Sequence, residues 1–197
     1  MSVMIVSEVE GQPVLDTATP AEALQVVQFW RDAGISKWFT KDPAFDRTFR
    51  VTFLGFYEEA ARGELDGWAD TPLGALALLI LLDQFPRNCF RGTPRMYATD
   101  AQALRIAKAA VKVGHDALVE YGLRLFMYIP YGHSEDIADH EAGAQLVKQL
   151  GGDFPQRAER YSSVIRRFGR FPHRNSILGR ASTSDEELFL QQGGFSG

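Results

Sequence analysis

Apolar residues recur along this chain at intervals of three and four, the spacing of one face of an α-helix, and no stretch alternates convincingly enough to mark a strand. Phe45, Phe49, Phe53 and Phe56 form one such stripe, and Ala103, Ile106, Ala107, Ala110 and Val111 form another. Helix boundaries are legible around them. Thr19-Pro20-Ala21-Glu22 reads as a capping box with proline at the first helical position, opening a helix to about Asp32. Asp42-Pro43 repeats the device and Gly63 ends the helix it starts. Thr71-Pro72 opens Leu73–Gln84, whose leucines and alanines surround the axis, as in a buried helix. Phe85-Pro86 is expected to close it, because the residue before a proline is pushed out of the α region.

Further helices are predicted from about Thr99 to Val113 and from Asp116 to about Tyr128, followed by a turn at Pro130-Tyr131-Gly132. Ser134 should then cap a helix with Glu135 and Asp136 in its first turn, where acids suit the dipole. Two more run from about Pro155 to Phe168 and onward from the pairs Thr183…Glu186 and Ser184…Glu187. About eight helices on short loops predict a single all-α domain over residues 17–197. Residues 1–16 lack periodicity and read as a loose tail.

Composition narrows the function classes. One cysteine in 197 residues cannot close an internal disulfide, which suits a reducing, cytoplasmic setting. The longest apolar run, Leu73–Leu82, is half of the ~20 residues a bilayer requires, and the N-terminus lacks the pattern of a signal peptide. A formal charge of −4 argues against nucleic acid as a partner. Arginine is distributed unevenly, however. Arg157, Arg160, Arg166, Arg167, Arg170, Arg174 and Arg180 share their segment with a single acid, Glu159, while Arg87, Arg91 and Arg95 share theirs with none. Both segments contain the same bend: Phe85-Pro-Arg-Asn88 and Phe171-Pro-His-Arg-Asn175. An arginine at such a bend can close the helix's last carbonyls and acids, or offer its planar fork to a carboxylate or phosphate.

These segments also carry a resemblance. Lys37-Trp-Phe-Thr-Lys-Asp42 with Ala44-Phe-Asp46, Leu81-Leu-Asp-Gln-Phe-Pro-Arg-Asn88 with Phe90-Arg-Gly92, His133-Ser-Glu-Asp136, and Phe168-Gly-Arg-Phe-Pro-His-Arg-Asn175 with Leu178-Gly-Arg180 resemble DUF924, a bacterial family of unknown function. The likeness runs from about Val26 to Phe189. It implies a tetratricopeptide-like helical bundle, in accord with the helical periodicity, and brings no activity with it. The chain departs from the pattern at Tyr161, where a histidine is expected, and at His140, where glutamine is usual.

The candidate chemistry follows. His133, Asp136, His140 and His173 could form a metal site, but Tyr161 removes an expected histidine and His133 precedes the cap, so no metal and no cofactor are expected. Ser134 beside His133 has no nucleophile elbow around it and reads better as a cap. Cys89 reads as a small apolar residue. Trp30, Trp38 and Trp68 read as helix-face anchors. The leading expectation is a binding module whose arginine-rich bends line one cleft. Arg87, Asn88, Arg91, Arg124, His133, Ser134, Glu135, Arg170, His173, Arg174, Asn175 and Arg180 would hold an anionic small molecule or an acidic peptide segment. The alternative is a hydrolase in the same cleft, with His173 or His133 as general base, Asp83 assisting, and arginines stabilising a developing anion.

Overall fold

Leu73 to Leu82 are all buried, so the segment that reads as apolar on every side lies in the core. The computed structural model describes residues 6–9, 12–15 and 18–195, with side chains from residue 18 onward. The fold is all-α, apart from one short antiparallel ladder in which β1 (Val6–Val9) pairs with β2 (Gln12–Leu15). That ladder falls in the stretch expected to be a tail; residues 1–5, 10, 11 and 16 of it lie outside the described residues.

The chain gathers into two compact units, Met1–Arg91 with Arg95–Pro130, and Gly92–Pro94 with Tyr131–Gly197. The first contains α1 (Ala21–Ala33), α2 (Ile35–Trp38), α3 (Pro43–Ala61), α4 (Pro72–Leu79), α5 (Phe85–Cys89), α6 (Asp100–Lys112), α7 (His115–Leu118) and most of α8 (Tyr121–His133). Helix α4 packs against α1 and α6. Gly74 makes its start possible, since a Cβ there would stand 2.0 Å from the Trp68 carbonyl oxygen. The phenylalanine stripe of α3 faces inward as its spacing predicts: Phe49 and Phe53 are buried, and Phe29 stacks on Phe45 and Phe49. Trp38 donates its indole N–H to the Trp30 carbonyl at 2.7 Å and stacks on the Trp30 ring, so it anchors α2.

Caps at Asp42, Thr71 and Thr183 form as expected, the last as a full capping box. Four local expectations are corrected. Thr19 does not cap α1; its hydroxyl donates to Thr71 Oγ1 at 2.9 Å, and Pro20 occupies the cap position. Phe85-Pro86 does not end the helix. The backbone widens into a π turn over Ile80–Gln84 and continues as α5 with proline in its first turn. The Leu82 carbonyl, which proline at position 86 deprives of its helical donor, accepts instead from Thr99 Oγ1 at 2.5 Å. Likewise Pro130 lies inside α8, which runs on to His133 in place of the expected turn. Ser134 is not the cap of the next helix. Asp136 is, accepting from the Ala138 N–H, while Ser134 accepts from the Asp136 N–H and donates to Asp139.

The second unit holds α9 (Ile137–Lys148), α10 (Phe154–Phe168), α11 (Asn175–Leu178) and α12 (Ser184–Gln191). Helices α9 and α10 pack together, and Val164, Ile165 and Phe171 form a small core ringed by Ile137, Tyr161, Phe168, Phe189 and Phe195.

Candidate functional site

Each arginine-rich bend belongs to its own unit, and each is closed by carboxylates of that unit. At the first, Arg87 lies in α5 with one nitrogen 2.7 Å and the other 2.9 Å from the two Asp100 oxygens. It also donates to the Asp83 carbonyl and stands 3.3 Å from the Asp83 carboxylate, which is 1% exposed and accepts from Gln84. Burial opposes the charge on Arg87, but Asp83 and Asp100 outweigh it and push the guanidinium pKa up. Asn88 donates to Asp46 at 2.7 Å, and Arg91 reaches the same carboxylate at 3.3 and 3.5 Å.

At the second bend Glu135 is the hub. It takes both terminal nitrogens of Arg180, at 2.6 and 2.9 Å, and the Phe171 N–H at 2.7 Å. Burial raises the Glu135 pKa, while Arg180 and the Phe171 N–H lower it by more, so the carboxyl stays below its usual range. Arg170 forks onto Glu186 at 2.7 and 2.8 Å, and Asn175 joins Ser182, Glu186 and Arg180. Arg174 is buried, lies 4.4 Å from the centre of the Phe171 ring and donates to the His133 carbonyl.

The Arg170–Glu186 pair carries a pH dependence. The hydrogen bond from Arg170 draws the Glu186 carboxyl down to about 2, against burial and with help from the Thr183 N–H. A depressed carboxylate contributes its full stabilisation above its ordinary pKa of 4.5, and that contribution is lost as pH falls through about 2. An acid titration followed by circular dichroism should show a stability loss in this window, and Glu186→Gln should flatten it.

The remaining candidates are placed as follows. Arg124 donates to the Ala117 and Val119 carbonyls and so ties α7 to α8. His140 is buried against the Ser134 carbonyl, and burial lowers its pKa. The His133 ring lies 6.3 Å from Tyr161 and His173 lies 5.5 Å from Phe171. Cys89 is half-buried; burial and then Asp46 push its thiol up to about 12, far from a reactive thiolate. Among the described residues no group of three or more histidine, cysteine or acidic side chains is placed to hold a metal ion. No helix among them is long and apolar enough to cross a membrane.

A shallow pocket of about 290 Å³ opens beside the first bend, lined by Pro43, Asp46, Arg47, Arg50, Asn88 and Cys89. Asn88 comes from the sequence-predicted set. Arg47 and Arg50 do not, and their arrangement differs from that of Arg87, Arg91, Arg170 and Arg180, which meet acids. Both are exposed on α3, and among the described residues neither has a carboxylate partner. Arg50 donates to the Cys89 carbonyl at 3.0 Å and its guanidinium lies 5.1 Å from the Phe90 ring centre, which fixes it at the pocket wall. A signal for them was present: two arginines at i and i+3 on one helix repel unless something offsets the charge.

No curated protein matches the chain. A solved structure described as a protein of unknown function, ATU0120 from Agrobacterium tumefaciens, is 49% identical, with a TM-score of 0.86; the match covers 88% of this chain and 98% of that one. Residues 26–194 match the family described as bacterial protein of unknown function, DUF924. With its arginine-bearing bends and their carboxylate partners all inside the matched span, the chain belongs to the DUF924 family of bacterial proteins.

Proposed function

We propose that this protein is a binding module for an anionic ligand, either a small molecule or an acidic peptide segment, carried on a tetratricopeptide-like helical scaffold. The observation that carries the reading is the pair Arg47 and Arg50: two exposed arginines one helical turn apart that line the same pocket, neither with a carboxylate partner among the described residues. By contrast, Arg87, Arg170 and Arg180 are forked onto acids. Asn88 and Arg91 border the same site, where Asp46 is the one lining acid. An anion seated between Arg47 and Arg50 would relieve their repulsion and accept the planar donor forks that arginine presents. Arg87, locked by Asp83 and Asp100, would hold α5 and thereby Asn88 in place.

Binding to the folded state alone raises stability by about 2.7 kcal/mol at a hundredfold excess over Kd. For a chain of this size that is a melting-temperature rise of roughly 5–10 °C. Thermal unfolding at low ionic strength, with phosphate, citrate and a polyglutamate peptide against a chloride control, checks this. At least one anion should raise the melting temperature in proportion to the logarithm of its concentration. A parent protein that responds to none of them contradicts the reading.

A further inference from the structure

The outward face of α3 is basic near its start, at Arg47, and acidic at its end, at Glu59. Glu59 lies in the last turn, where the helix dipole disfavours an acid, so the helix itself does not account for its placement. Among the described residues neither Arg47 nor Glu59 has an ion-pair partner, while the neighbouring Glu58 is taken by Arg95 and Arg62 by Glu64. Between them lie Val51, 81% exposed and the most exposed of the large hydrophobic side chains described, and Gly55, where an added Cβ would meet open space. Arg47, Val51, Gly55 and Glu59 follow one another at intervals of four, so they form a single ridge of the kind that packs against a neighbouring helix. Thr48 and Thr52 flank the ridge and turn their hydroxyls back onto the Ala44 and Thr48 carbonyls, at 3.1 and 2.8 Å. Covering them therefore strands no polar group.

We propose that this face is a docking surface for a second copy of the chain, with two α3 helices packed antiparallel across a two-fold axis near residue 53. The ridge is complementary to itself when reversed. Arg47 then lies opposite Glu59 of the second copy, and Val51 opposite the bare backbone at Gly55, each contact occurring twice. Arg47 and Glu59 each stand six residues from the axis, about 9 Å along the helix, and Val51 and Gly55 each stand two, about 3 Å. A second copy thus supplies a carboxylate for Arg47, a cation for Glu59 and cover for Val51. An acidic peptide would answer Arg47 but leave Glu59 unmet. One helix on another buries less than the ~1,200 Å² of a standard complex, so the association is weak and depends on concentration. Because Glu59 of the second copy enters beside Arg47, the dimer covers one wall of the pocket that Arg47 lines. The inference uses only the charge and shape of α3 and does not depend on that pocket binding a free anion.

Analytical sedimentation of the full chain at low ionic strength, over a concentration series reaching about 1 mM, tests this, with circular dichroism to show that each variant is folded. The parent should shift from its 22.0 kDa monomer toward twice that mass as concentration rises, and added salt should weaken the shift. Arg47→Glu and Glu59→Arg, each alone, set like charges opposite one another at both contacts and should weaken self-association about tenfold. Mixed together, the two variants should form a heterodimer, because both ion pairs are then restored between them. That recovery is specific to the antiparallel register. Gly55→Gln fills the dent with a better helix former, so it should abolish the dimer over the same concentrations at no cost to the fold. A parent that stays monomeric throughout overturns the proposal. So do single variants, or Gly55→Gln, that dimerise as the parent does, and so does a mixture of the two charge variants that stays monomeric.

Discussion

Arg87→Ala is expected to destabilise the first unit by about 3–5 kcal/mol, the range for a buried ion pair that loses one partner. The side chains involved are nearly out of water: 13% exposed for Arg87, 1% for Asp83 and 16% for Asp100. Removing the guanidinium leaves two adjacent carboxylates and the Asp83 carbonyl without its donor. The loss then propagates to α5, whose π turn and proline give it few backbone bonds of its own. Arg87→Lys should recover only part, because an ammonium cannot make the two-pronged contact with Asp100. Urea unfolding of the three proteins measures the effect. A loss below about 1 kcal/mol, the worth of an exposed pair, would mean that Arg87 does not hold α5.

Glu135→Ala should cost about 3 kcal/mol, through an unpaired guanidinium and an unsatisfied Phe171 N–H. The figure sits at the low end because Arg180 and Glu135 are 25% and 29% exposed, so water can partly replace the lost partner. The consequences are local to the second unit, where Glu135 ties the segment before α9 to the bend at Phe171 and to the stretch after α11. A double-mutant cycle with Arg180→Ala separates the pair from its surroundings and should return a coupling of about 1–2 kcal/mol. If Glu135→Ala leaves stability untouched, the carboxylate is held for some purpose other than closing the bend.

The elements most legible in the sequence are those governed by local rules. The i, i+4 spacing of Phe45, Phe49 and Phe53 fixes the inward face of α3, and Asp42, Thr71 and Thr183 cap where their neighbours say they should. The misread elements are those where a distant group intervenes. Pro86 fails to stop its helix because Thr99 supplies the donor that the Leu82 carbonyl lacks. Thr19 leaves its cap because Thr71 offers a buried partner. The same limit applies to the arginines. Their type and clustering are visible at once, yet whether a guanidinium meets an acid depends on partners 13 to 45 residues away, as with Arg87–Asp100 and Arg180–Glu135. Arg47 and Arg50 lie outside both bends, on the solvent side of a helix whose apolar stripe is its louder signal.

The central claim is that Arg47 and Arg50 form an anion site, and calorimetric titration of inorganic phosphate at low ionic strength tests it most directly. The parent and the double variant Arg47→Ala/Arg50→Ala are compared, with matched unfolding curves to show that both fold. Two charge-assisted forks are lost in the variant, each worth about 1.5–3 kcal/mol, so its affinity should fall at least tenfold while its stability holds or rises slightly on relief of the i, i+3 repulsion. Saturable binding in the parent that is lost in the variant is the predicted result. Equal affinity in the two proteins, or no binding heat in the parent, would contradict the account.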